Sequence, residues 1–175
     1  MMKKQIFDYA RKAKGLSYGG LRSKESIKGF VIHYTGGSRD SAKNECDYFA
    51  TGNARSAGAH IFIDYDGLTG YSIPIKRTAW SVGNPGNCYK RGNYFATLNN
   101  SNTISIELCG IADRLASEKQ IQATEKVLRW LHKKCPNAEY IVRHYDIVRK
   151  VCPAPYVNNE AEWLKLHSRL LKCIK

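Results

Sequence analysis

The stretch Thr103–Cys109, TISIELC, alternates residue by residue: Ile104, Ile106 and Leu108 share one face, while Ser105, Glu107 and Cys109 share the other. That two-residue period is the signature of a strand with one buried face, and such a face needs a second layer to cover it. A covering element follows at once. From Ser117 to Lys134 apolar residues recur at helical spacing, with Ile121, Thr124, Leu128, Leu131 and Cys135 as the inward stripe, Ser117 as cap and Pro136 just beyond the end. His132 lies off that stripe and is expected in solvent. A strand handing on to an amphipathic helix is the building unit of α/β folds, so this pair narrows the architecture before anything else is read.

The rest of the chain repeats the theme. GFVIHY, from Gly29, is β-branched and aromatic, and after its Thr-Gly-Gly turn Ser41–Ala50 reads as a helix capped by Asp40 or Ser41. Ala59–Tyr65 and Thr69–Ile73 flank Asp66-Gly67 and read as a hairpin, which adds antiparallel pairing. Tyr140–Arg143 is another strand, and Glu160–Leu171 a closing helix that turns Trp163, Leu164, Leu170 and Leu171 to the core. Near the N-terminus, Lys3–Lys14 reads as a short basic helix with Ile6, Phe7 and Ala10 on one side, ended by turn residues from Gly15 to Gly20. Lys76–Asn102 has no clean period and reads as a long loop. The expectation is one α/β domain over residues 1–175, a central mixed sheet flanked by helices, of a size that supports one core.

Chemistry concentrates in Arg143–Cys152, RHYDIVRKVC, with Pro153 next. His144 and Cys152 are of the types that ligate a borderline-soft metal, and a cation such as Lys150 can steady a developing oxyanion. A catalytic zinc takes three protein ligands and keeps one position open, so a third must come from elsewhere. His33, at the end of an apolar strand and before a glycine turn, is the candidate. The alternative is that both histidines are ordinary half-buried residues and Cys152 a small core residue. Glu107 presents a similar choice: a carboxylate in an apolar strand is either paired, for instance with Arg143 or a lysine, or used as a general base. His60 shares a strand face with Phe62 and Asp64, and can be a ligand, a substrate contact or a core histidine. In the loop, aromatic rings such as Trp80 suit the faces of sugars, and amides such as Asn102 suit hydroxyl and acetamido groups.

Lys and Arg number 28 against 15 Asp and Glu, a net charge of +13 that calls for a polyanionic partner. The cations are spread along the chain instead of gathered in one arm or helix, which disfavours a dedicated nucleic-acid reader and fits an anionic wall polymer. Six cysteines at irregular intervals in a chain of this size read as reduced thiols and not as a disulfide framework. MMKKQIFDYARKAKG is basic but has no apolar run long enough for a signal peptide, and no segment suits membrane insertion, so synthesis in the cytoplasm is expected.

The order His33, Glu107 in NTISIELCG, then His144 and Lys150-Val151-Cys152-Pro153 resembles the zinc-dependent N-acetylmuramoyl-L-alanine amidases of the phage lysozyme and peptidoglycan recognition protein superfamily, from about Phe30 to Pro153. The resemblance implies one zinc ion on His33, His144 and Cys152, with Glu107 as proton carrier and Lys150 as oxyanion stabiliser. It further implies that His60 and Trp80 border the cleft, and that the amide between the lactyl group of muramic acid and L-alanine is cut. Cysteine as third ligand matches the phage lysin and recognition-protein branches and so implies intact peptidoglycan as partner, met by a monomeric endolysin-like enzyme at the wall after release from the cell. One departure stands out: some phage amidases carry a catalytic tyrosine where this chain has Ala59. The competing readings are a binding-only muropeptide module on the same fold and a basic nucleic-acid-binding protein.

Overall fold

The computed structural model describes residues 5–175. Strands β1 (Tyr9–Ala10), β3 (Gly29–Tyr34), β4 (Ile61–Ile63), β5 (Thr69–Tyr71), β7 (Thr103–Leu108) and β8 (Tyr140–Arg143) form one mixed sheet in the order β1-β5-β4-β7-β3-β8. The pairs β4–β7, β7–β3 and β3–β8 are parallel, and the β4–β5 hairpin is antiparallel. Strands β2 (Tyr18–Leu21) and β6 (Arg77–Ala79) make a separate antiparallel ladder. Among the described residues there are five α-helices: α1 (Ala42–Asp47), α2 (Glu118–Lys134), α3 (His144–Val148), α4 (Ala154–Val157) and α5 (Glu160–Leu171).

Strand alternation divides the sheet into two faces with different tasks. Phe30 and Ile32 of β3, Ile61 and Ile63 of β4, and Ile104, Ile106 and Leu108 of β7 all point to one side, where they meet Val127, Leu128 and Leu131 of α2 and Trp163, Leu166 and Leu170 of α5. Each such side chain contributes ~1.5–3 kcal/mol of transfer free energy, so this layer holds the fold. The opposite face carries Val31, His33, Phe62, Ser105 and Glu107, and it is closed by α1, α3 and the 81–102 segment. Ser41 caps α1 by accepting from the Asn44 amide at 3.2 Å, and Ser117 caps α2 by accepting from Gln120 at 3.1 Å. Asp40, the other candidate cap, instead accepts from the Gly110 amide at 2.7 Å.

Several expectations are corrected. Where Lys3–Lys14 reads as a helix, residues 3 and 4 lie outside the described residues and Tyr9–Ala10 form the edge strand β1. The exposed backbone edge of β5 outcompetes a helix too short to persist alone: Asp8 donates to Thr69 O and Arg11 to Tyr71 O, each at 3.0 Å. Phe7 then stacks on Tyr71 at 4.7 Å. The Gly15–Gly20 turn and the 76–102 loop are more ordered than their composition suggests, because β2 and β6 find each other across the sequence. In α5, Leu164 is 57% exposed and Leu166 takes its place, since Trp163, Leu166 and Leu170 keep the i, i+3, i+7 spacing that Leu164 breaks. His132 is half-buried.

Close approach of backbone sets how α1 sits. Gly70 of β5 lies under it, and a Cβ there would come within 2.7 Å of Cys46 Sγ and 2.9 Å of the Ala42 carbonyl oxygen. Gly70→Ala is therefore expected to destabilise the domain by ~1–3 kcal/mol through overpacking, read from the urea midpoint. On the other face, Arg169 of α5 reaches Glu118 of α2 with both terminal nitrogens, at 2.8 and 2.9 Å, and its pull holds the Glu118 carboxyl down to about 2. The sign follows from linkage: this pair's contribution is complete above the ordinary glutamate value of about 4.3 and is lost as pH falls through about 2. Glu118→Gln should lose the contribution present above that window, so that its stability falls below the parent's at neutral pH, its acid limb is flatter, and the two profiles converge at the acid end, as measured by urea titrations across pH.

Candidate functional site

Parallel pairing brings three strands to the same end of the sheet, and there one row of residues crosses it. His33 of β3 is in register with Glu107 of β7, and Glu107 with Phe62 of β4. On the other flank of β3, β8 ends at Arg143, so that His144 emerges as the first residue of α3. Arg143 fixes that junction. Its guanidinium is buried, bonds Asp146 Oδ1 at 2.9 Å, Glu160 Oε2 at 2.6 Å and the Tyr156 carbonyl at 2.8 Å, while its backbone amide donates to Asp146 Oδ2 at 2.8 Å. Arg143 is thus not the partner of Glu107. After α3, Arg149 adopts a left-handed conformation with φ of 54° and reverses the chain, and the Tyr145 amide donates to the Cys152 carbonyl at 3.0 Å. This tight return carries Cys152 back beside His144 and His33.

Ligand-type atoms of His33, His144 and Cys152 all lie within 4.8 Å of one another. Cys152 Sγ is 3.7 Å from His33 Nδ1, and the two imidazole rings stand edge to face with centroids 4.8 Å apart. All three residues are 2% exposed. Burial pushes the His144 imidazole down to about 3, with Lys150 adding to the effect, so both imidazole nitrogens cannot be donors at neutral pH. His33 is lowered well below the ordinary histidine value by burial, then by His144 and Lys150. The Cys152 thiol is pushed up to about 12, again chiefly by burial.

His33 Nε2 and both nitrogens of His144 have no hydrogen-bond partner. Leaving buried polar atoms unpaired costs about 1–3 kcal/mol each, and converging neutral imidazoles with a thiol are the donor set that one divalent cation would satisfy together. The residues fit a metal ion. Beside them, Glu107 Oε1 is 3.9 Å from His33 Nδ1, and Glu107 Oε2 is buried without a partner. Burial raises the Glu107 carboxyl to about 8, with Lys150 pulling the other way.

Two cavities of about 430 and 610 Å3 meet over this cluster and share Ala57, Trp80, Ser81 and Lys150 at the saddle. The first contains His33, Glu107 and Cys152 together with Glu45, Tyr48, Phe49 and Arg55; the second contains His144, Asn84, Tyr89 and Asn100. Trp80 is 39% exposed, and its ring rests on Gly19, where a Cβ would meet it at 2.6 Å. Lys150 is exposed and reaches both cavities.

Two expected substrate contacts are placed elsewhere. His60 is fully buried; its Nδ1 accepts from the Ser105 amide at 3.0 Å, which leaves the proton on Nε2, 3.0 Å from the Arg77 carbonyl. The ring stands in for a missing strand contact and lines neither cavity. Asn102 closes the turn before β7, accepting from the Asn99 amide at 2.8 Å and donating to the Thr97 carbonyl at 2.9 Å. Its neighbour Asn100 lines the second cavity instead, with Oδ1 held by the Ser81 and Val82 amides. Nothing in the run of asparagines marks which one faces the cleft.

A family model described as N-acetylmuramoyl-L-alanine amidase, Amidase_2, matches residues 23–155. The N-acetylmuramoyl-L-alanine amidase CwlL of Bacillus licheniformis is 30% identical over 141 residues, covering 78% of this chain and 38% of that protein. The N-acetylmuramoyl-L-alanine amidase BlyA of Bacillus subtilis (strain 168) is 31% identical over 157 residues, covering 83% of this chain and 41% of that protein. The chain thus spans well under half the length of these curated relatives. The solved structure of PlyL matches with a TM-score of 0.70 at 23% identity, over 93% of this chain and 95% of PlyL, and shows the same fold. With the matched region running from before β3 to beyond Cys152, the chain belongs to the N-acetylmuramoyl-L-alanine amidase family.

Proposed function

We propose that this chain is a zinc-dependent peptidoglycan amidase that hydrolyses the amide between the lactyl group of N-acetylmuramic acid and L-alanine, acting at the bacterial cell wall in the manner of an endolysin. The observation that carries the reading is the convergence of two buried imidazoles with unpaired ring nitrogens and a thiol within 4.8 Å, next to a carboxylate with an unpaired oxygen at the floor of a cleft. Family membership and relatives named as amidases support it.

His33, His144 and Cys152 would hold the ion. When bound, zinc would supply Lewis acidity toward the scissile carbonyl and an attacking water. Glu107 takes the proton from that water and returns it to the departing alanine nitrogen. Its carboxyl, raised to about 8 in the metal-free chain, must be ionised to act as a base, and a nearby dication lowers it in the required direction. Lys150 faces the saddle between the cavities, where its ammonium offsets charge on the carbonyl oxygen as the tetrahedral centre forms. Trp80, at the same saddle, offers an apolar face to the sugar or the first peptide unit. The mechanism asks nothing of Ala59, which is buried beneath the cleft.

The net charge of +13 supports electrostatic attraction to anionic wall polymers, in addition to the specific contacts of the cleft. Among the described residues no helix is long and apolar enough to cross a membrane.

His33→Ala, His144→Ala and Cys152→Ser are each expected to lose bound zinc, measured by elemental analysis, together with release of alanine amino groups from wall sacculi. A strong chelator should do the same to the unaltered chain, and added zinc should restore it. Undiminished amine release from zinc-free protein would overturn the reading. Lys150→Ala should lower kcat by ~10²–10³ with zinc retained. Glu107→Gln should retain zinc and stop turnover, which separates proton transfer from metal binding.

A further inference from the structure

The first cavity has a second carboxylate that the reaction does not use. Glu45 lies one helical turn past Ala42, whose side chain is buried against the sheet, and it shares its flank of the helix with Tyr48 and Phe49 at i+3 and i+4; all three line the cavity that contains Glu107. Among the described residues the Glu45 carboxylate has no hydrogen-bond donor and no cation at ion-pair distance; burial and Asp40 push it up to about 7, and no positive neighbour pulls it back. This contrasts with the outer face of the same helix, where Asp47 is bonded by Tyr9, Arg11 and Lys43, each at 2.6 Å. A half-buried, unpaired carboxylate in a ligand cavity is a place for a cation brought by the ligand.

We infer that Glu45 is a specificity-determining residue that receives a primary ammonium on the peptide arm of the substrate. The inference rests on the amidase reading for the identity of that arm. In wall peptides the relevant group is the side-chain amine of the diamino acid two residues beyond the alanine. Joining neighbouring strands converts that amine to a neutral amide, which removes the charge and adds bulk. A carboxylate at this point therefore favours stems that are not cross-linked. Arg55 and Lys150 line the same cavity and are the cations the ammonium must avoid; of the two carboxylates that line it, Glu45 is the one the reaction leaves free. The Gly70 contact keeps α1, and with it Glu45, seated against the sheet.

The test compares two soluble ligands, N-acetylmuramoyl-L-alanyl-γ-D-glutamyl-L-lysine and the same compound acetylated on the lysine side chain, by calorimetry at neutral pH in a Glu107→Gln background that leaves them uncut. The free-ammonium ligand should bind about tenfold more tightly, the span expected for one charge-assisted bond in a half-buried site. Glu45→Gln should abolish that preference, and Glu45→Lys should reverse it, both with an unchanged melting temperature. Equal binding of the two ligands by the Glu107→Gln parent, a preference retained in Glu45→Gln, or no binding of either ligand would overturn the proposal. Cleavage of the free-ammonium ligand by the chain with Glu107 intact decides the amidase reading separately: a Glu45-dependent preference without cleavage would remove the activity and keep the ammonium site.

Discussion

Parallel pairing of β3 with both β7 and β8 is the constraint from which the rest of the site follows. Three neighbouring strands that run the same way must all end on the same edge, and the loops leaving that edge are the ones available for chemistry. His33 and Glu107 are in register because their strands are hydrogen-bonded neighbours, and His144 arrives because β8 stops one residue earlier. No long loop has to be ordered to bring these groups together. The entropy of positioning them is borne by the sheet, whose other face is held by α2 and α5.

Separation of the two faces explains how unpaired polar atoms persist in a folded core. His33, His144 and Glu107 each carry a buried atom without a partner, and such atoms weaken the structure that contains them. The apolar layer on the opposite side offsets that weakness, and the Arg143–Asp146–Glu160 network clamps the junction where a short helix, not a strand, presents His144. Strain and stability are in this way kept on different sides of the same six strands.

How much of this was legible beforehand depended on whether a residue's role is local. The strands around His33 and Glu107 show themselves by alternation, and the α2 stripe by its period, because both are consequences of nearest-neighbour geometry. Residue type alone left His33, His144 and Cys152 open between ligands and ordinary core residues; the resemblance grouped them, and the fold brings their ligand-type atoms within 4.8 Å of one another. His60 and Asn102 were misread for the opposite reason. Each is a polar residue near the cleft in sequence, yet its hydrogen bonds go to backbone groups that only the fold brings near. The same applies to β1 and to the β2–β6 ladder, whose residues pair with distant edges and carry no strong pattern of their own. Glu45 escaped notice because a single acid in a short polar helix has the composition of a solvated surface.

The seat of α1 on Gly70 has one more implication. Since main-chain atoms of helix and strand approach there with almost no side chain between them, the gap between the His33–Glu107–Phe62 row and the facing wall is a property of the backbone. Side chains along that wall can be exchanged without altering how far apart the two banks stand. Selectivity can consequently be retuned at the lining while the reacting groups keep their spacing.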